Sequence, residues 1–220
     1  MRKVFQAELQ TIGEELINLS KLVAEAMERA YESFAQADTQ LAQEVIAADA
    51  RIDFLQNKLD EHAIDVLALQ GPVASDLRMI VGSLRMSASL ERMGDLARHI
   101  AQLTRLRFPN QVAPESVQPT FAEMARLNIE IAMKVGELLD TRDLAIAAEI
   151  IGLNKEIDDL HASVFKAIAS EDWNESAPTT TDVTLASRYM ERFGDHGVSV
   201  ARKVNYLVTG EWEPNLNDSV

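Results

Sequence analysis

Glu91 and Asp95 stand four residues apart, and so do Glu191 and Asp195. On an α-helix that spacing puts both carboxylates on one face. Asp49 and Asp53 repeat it upstream, and Asn154 and Asp158 hold the matching positions in the second half. Like charges one turn apart destabilise a helix, so a pattern repeated at matching sites calls for a reason. Carboxylate oxygens are hard ligands, and facing pairs from two helices bridge hard cations or iron. Helical bundles build such sites from inward-facing carboxylates on adjacent helices. If the second and third helices pack antiparallel, Asp49, Asp53, Glu91 and Asp95 converge on one cluster. Asn154, Asp158, Glu191 and Asp195 form the second, with an amide in place of one acid. The competing reading is a solvated face neutralised by Arg51, Arg92, Arg98, Arg188 and Arg192 through ordinary bidentate pairs.

Gly94 and Gly194 interrupt the two motifs at one position. A mid-helix glycine costs about 1 kcal/mol relative to alanine, so its recurrence points to close helix contact or room for a ligand. His62, His99, His161 and His196 form no i,i+4 pair, and core or surface histidine is the favoured reading for each. Trp173 and Trp212 fall in a loop and the tail. No Gly-x-Ser-x-Gly context and no glycine-rich phosphate loop is present. A carboxylate-cluster metalloenzyme or a metal-storage bundle is the alternative. Di-metal carboxylate bundles use Glu-x-x-His, yet Gly94 and Gly194 stand three residues after Glu91 and Glu191.

Long helices must position these groups. Leu9, Ile12, Leu16, Leu19, Val23, Met27, Ala30 and Phe34 make one apolar stripe at helical spacing. Asp38 is a candidate N-cap for a second helix ending near Leu69. Gly71-Pro72 breaks the chain, because proline cannot continue a helix. A third helix runs from Ser75 or Asp76 to about Arg107. Pro109, Pro114 and Pro119 mark a linker over 109–119. A fourth helix spans about Thr120 to Leu139, and Asp140 or Thr141 caps a fifth reaching Ala169. Thr179 to Thr181 cap a sixth that ends before Gly210. Ile52-Asp53 matches Ile157-Asp158, and Ala26-Met27 matches Ala132-Met133. The expected fold is all-α: two tandem, pseudo-symmetric three-helix bundles over 1–108 and 120–210, with a tail at 211–220.

The 220 residues include 35 acidic and 21 basic side chains, a net charge of -14. That balance opposes nucleic-acid binding, which needs clustered Lys and Arg. The chain has no cysteine, which excludes disulfides and thiolate metal sites. No signal peptide or span of roughly 20 apolar residues is visible. A cytoplasmic protein that meets the membrane only through partners is expected.

Pro72-Val73-Ala74-Ser75-Asp76-Leu77-Arg78, Leu90-Glu91-Arg92-Met93-Gly94-Asp95 and Tyr189-Met190-Glu191-Arg192-Phe193-Gly194-Asp195 resemble the PhoU family, and the likeness covers essentially the whole chain. The resemblance implies tandem three-helix bundles and a regulatory role without catalysis. It implies partners, the phosphate ABC transporter with its ATPase and a sensor histidine kinase, and repression of the phosphate-starvation response. It further implies iron, zinc or other divalent cations on the Glu/Asp-x-x-x-Asp motifs, with Asn154 departing from the pattern. A homodimer is expected.

Overall fold

The stripe that opens the chain forms α1 (Arg2–Gln36). In the computed structural model, which describes residues 2–211, Ile12, Leu16, Leu19, Val23, Met27, Ala30 and Phe34 are all buried. Asp38 caps α2 (Thr39–Gln70), its carboxylate accepting from the Gln40 and Leu41 amides at 2.9 and 3.0 Å. Gly71 ends that helix at φ 53°, a left-handed conformation natural to glycine. Next come α3 (Ala74–Arg107), α4 (Gln118–Thr141), α5 (Leu144–Ile168) and α6 (Ala177–Thr209). The described residues contain no strand. None of their helices is long and apolar enough to cross a membrane.

Three expected boundaries move, each for a local reason. The fourth helix begins at Gln118, with Pro119 in its first turn, where a missing N–H is harmless. It then runs through Asp140 and Thr141, and Asp143 caps α5 by accepting from Ala145 N at 2.9 Å. Ser176 rather than a threonine caps α6, with Pro178 in the first turn. The linker between α3 and α4 packs inward. Val112, Ala113 and Val117 are buried in the main core, and Gln118 Nε2 donates to Ala113 O at 3.1 Å.

The helices form two three-helix bundles, α1–α3 and α4–α6, joined where α1 lies on α4 and α3 lies on α6. Ser87 on α3 donates to Asp60 on α2 at 2.7 Å, and the matching Ser187 on α6 lies 2.6 Å from His161 Nδ1 on α5. Across the halves, the Arg107 guanidinium at the end of α3 grips both carboxylate oxygens of the buried Asp182 near the start of α6. Asn128 on α4 donates to Met190 O on α6 at 3.0 Å. Together these contacts set the motif-bearing stretches of α2, α3, α5 and α6 in fixed register.

His62 on α2 lies between Glu15 (3.1 Å) and Glu8 (2.9 Å) of α1. Burial opposes its charge, but its hydrogen bonds to both carboxylates, together with their charges, outweigh that and raise its pKa above 6.5. The imidazolium therefore stabilises the fold fully below about pH 6.5, and that contribution is lost as pH rises through the higher folded value. Urea unfolding of His62→Gln against wild type is expected to show a deficit at pH 5.5 that shrinks by pH 8.5.

Candidate metal centre

Packing of α5 on α6 brings Asn154 and Asp158 beside Glu191 and Asp195. Among the described residues, Asp158, Glu191 and Asp195 are the one group of three acids that each bring an oxygen within 4.8 Å of the others. Glu191 is buried while Asp158 and Asp195 are exposed, so the group opens to solvent on one side. Burial, then the neighbouring Asp195 charge, pushes the carboxyls of both Glu191 and Asp158 above their ordinary values. Arg188 Nη1 donates to Glu191 Oε2 at 2.6 Å and offsets part of this.

Asn154 is the fourth member. Its Nδ2 donates to Asp195 Oδ1 at 3.3 Å, whereas its Oδ1 is buried without any hydrogen-bond partner. A Cβ on Gly194 would collide with that oxygen, so the glycine keeps the space the amide fills. An unpaired buried acceptor of this kind is costly unless something donates to it or coordinates it. Three crowded carboxylates and one unpaired amide oxygen fit a hard cation, which would neutralise the crowding and satisfy the amide.

The first-half acids are closed differently. Arg98 Nε sits 2.5 Å from Asp49 Oδ2 and its Nη2 sits 2.5 Å from Asp95 Oδ1. Arg92 adds a contact to Asp95 Oδ2 at 2.7 Å and one to Glu91 Oε2 at 3.4 Å. The guanidinium of Arg98 thus occupies the place between α2 and α3 where a cation would sit. Burial raises Asp95, but Arg98 and Arg92 outweigh it and hold that carboxyl below its usual range. Asp49 is still raised, by burial first and then by Asp53 and Asp95, despite Arg98. Burial and Asp95 likewise raise Glu91. Asp53 is exposed.

Asp49 Oδ1 repeats the second-half feature, being buried and unpaired. A Cβ on Gly94 would lie 3.4 Å from it and 2.9 Å from Ile52 Cδ1. Each motif glycine therefore faces an unpaired oxygen on the neighbouring helix. The halves differ in the arginine. The register that sets Glu91 against Glu191 also sets Arg98 against Val198, and that contrast is the sequence signal for which half stays open.

No histidine joins the second-half group. His161 lies against Ser187, and His99 packs on Tyr189 with ring centroids 5.1 Å apart. His196 lines an open surface hollow with Arg92 and Glu91. Trp173 Nε1 donates to Thr180 at 2.9 Å, anchoring the α5–α6 loop. Trp212 lies outside the described residues.

The same halves emerge from comparison with known proteins. A family model for the PhoU domain matches residues 16–104 and again 121–204. The chain belongs to the PhoU family. Each matched PhoU domain carries one acidic set, Asp49 to Asp95 in the first and Asn154 to Asp195 in the second. The phosphate-specific transport system accessory protein PhoU homolog 2 of Mycobacterium tuberculosis is 40% identical over 210 residues, covering 96% of this chain and 99% of the relative. PhoU homolog 1 of Mycobacterium leprae is 39% identical over 212 residues, covering 96% of each. The crystal structure of the phosphate transport system regulatory protein PhoU from Streptococcus pneumoniae superposes with a TM-score of 0.86 at 26% identity, covering 96% of this chain and 99% of that one. PhoU from Pseudomonas aeruginosa gives 0.85 at 26% identity, covering 94% and 100%.

Proposed function

We propose that this chain is a regulatory accessory protein of phosphate uptake, acting by contact with the transporter's ATPase and with a sensor histidine kinase on the cytoplasmic side. The observation that supports this most is the end-to-end likeness, 96% of the chain at 40% identity, to a relative named as an accessory protein of phosphate-specific transport. Repression of the starvation response when phosphate is plentiful follows from that role, and no catalytic step is assigned to the chain.

Asn154, Asp158, Glu191 and Asp195 hold a divalent cation in this reading. The donors are all oxygen, which favours a hard ion such as manganese or ferrous iron over zinc. When bound, the ion supplies the positive charge that lets three carboxylates stay ionised side by side. Asp158 comes from α5 and the two motif acids from α6, so a bound ion would tie these helices together. Asp49, Asp53, Glu91 and Asp95 admit an ion only after Arg98 leaves Asp49.

The test mixes the purified chain with the ATPase subunit and the kinase's cytoplasmic portion at physiological salt, with and without phosphate. Co-elution with either is expected. Absence of binding to both at every phosphate level contradicts the adaptor role.

A further inference from the structure

A cavity of about 340 Å³ opens between α3 and α6, lined by Arg78, Arg85 and Lys203 with Tyr206, Leu77 and Val81. It lies two or more turns along α6 from Glu191 and Asp195 and shares no residue with either acidic set. Three cations converge here in a chain where acids outnumber bases 35 to 21. Yet no carboxylate among the described residues makes an ion pair with any of the three, whereas Arg92, Arg98, Arg126 and Arg188 each pair with an acid within one turn.

Each wall has a distinct chemistry. Lys203 Nζ is held by Ser199, 3.2 Å from its carbonyl and 2.5 Å from its hydroxyl. The ammonium is half-buried, and burial, followed by the nearby Arg85 charge, lowers its pKa. Two cations lining one cavity repel each other, and a bound phosphate relieves that repulsion. Arg guanidinium groups match phosphate oxygens through paired N–H donors, and a lysine adds a point charge. Across the cavity, the Arg78 guanidinium lies over the Tyr206 ring, 5.9 Å from its centroid. That cation–π contact, with the exposed apolar side chains Leu77 and Val81, gives an aromatic and apolar wall of the kind a nucleobase packs against. Gly82 completes the floor, because a Cβ there would press within 3.1 Å of Leu207 on α6. The space far exceeds one orthophosphate and lies in the range of small-ligand pockets.

We propose that this α3–α6 cavity is a nucleotide site, with the phosphates on Arg85 and Lys203 and the base against Arg78 and Tyr206. The proposal goes beyond the accessory role and does not depend on the acidic centres. It is tested by calorimetric titration of the full chain, stripped of metal by chelator and dialysed, with ATP, orthophosphate and adenosine as probes. ATP is expected to bind saturably at one site, at least tenfold more tightly than either orthophosphate or adenosine. Arg85→Gln and Lys203→Met are each expected to weaken ATP at least tenfold, whereas Arg126→Gln, an arginine on the α4 surface, leaves it unchanged. Arg85 is exposed, so its variant keeps the fold even if the lysine variant does not. Failure of ATP to saturate by millimolar concentration overturns the proposal. So does orthophosphate binding as tightly as ATP, or equal ATP affinity in wild type and Arg85→Gln.

Discussion

Glu191→Gln is expected to weaken manganese binding to the second half on the order of a hundredfold while raising the thermal stability of the metal-free protein. Both effects come from one side chain. Glu191 is the buried acid of the three that meet between α5 and α6, so it loses most solvation and has most to gain from an ion. Even outer-shell partners of a metal are worth roughly 10–100-fold in affinity, and a direct oxygen donor matters at least as much. Without metal the sign reverses. Burial and Asp195 hold the Glu191 carboxyl above its ordinary 4.5 in the folded chain. A raised acid contributes stability below its unfolded value and loses it as pH rises through the folded value. The isosteric amide removes that loss. Stripped Glu191→Gln should therefore melt above wild type at pH 7.5 and alike at pH 4, while titration calorimetry with manganese shows the weakened site.

Arg98→Val is expected to open a second cation site. The substitution gives the first half the residue that the second half carries at position 198. Asp49, whose side chain is only 8% exposed, and Asp95 then face each other without a guanidinium. Breaking a fully buried ion pair costs about 3–5 kcal/mol. Arg98 keeps 25% of its side-chain surface in solvent, so about 2 kcal/mol is the fitting scale here. For a chain of this size that is a fall in Tm of roughly 4–8 °C. Millimolar manganese should restore much of it, because a ligand that binds only the folded state stabilises by mass action. Calorimetric stoichiometry should rise by one ion per chain relative to wild type. A variant that melts lower with no rescue and no added ion would show that Arg98 merely packs α3 on α2.

The acidic sets were legible in the sequence because a four-residue spacing fixes side-chain direction on a helix, whatever the tertiary packing. The same holds for the α1 stripe from Ile12 to Phe34 and for Asp38, whose capping role is local. Boundaries were less legible where two capping residues compete. Asp140 and Asp143 are both good N-caps, and only the left-handed turn at Arg142 selects the second. The prolines at 109, 114 and 119 mark a linker but give no sign that Val112, Ala113 and Val117 turn inward. Those apolar residues carry no periodicity over so short a span. At the site itself, donor type was legible and the ion pairing of the acids was not. Asn154 made the second half look the poorer ligand set, because an amide lacks charge. What the sequence hid is Arg98 reaching Asp49 across 49 residues of chain, a pairing that no spacing rule encodes. Arg78, Arg85, Lys203 and Tyr206 likewise come together only through the packing of α3 on α6.

Crystals of the full chain grown with manganese, measured at the metal's absorption edge, give the most direct test. The expected anomalous map has one strong peak among Asp158, Glu191 and Asp195, within coordinating distance of Asn154 Oδ1, and none between Asp49 and Asp95 while Arg98 spans them. An empty second-half group in saturated crystals, or a peak in the first half alone, would contradict the assignment of the cation to α5 and α6.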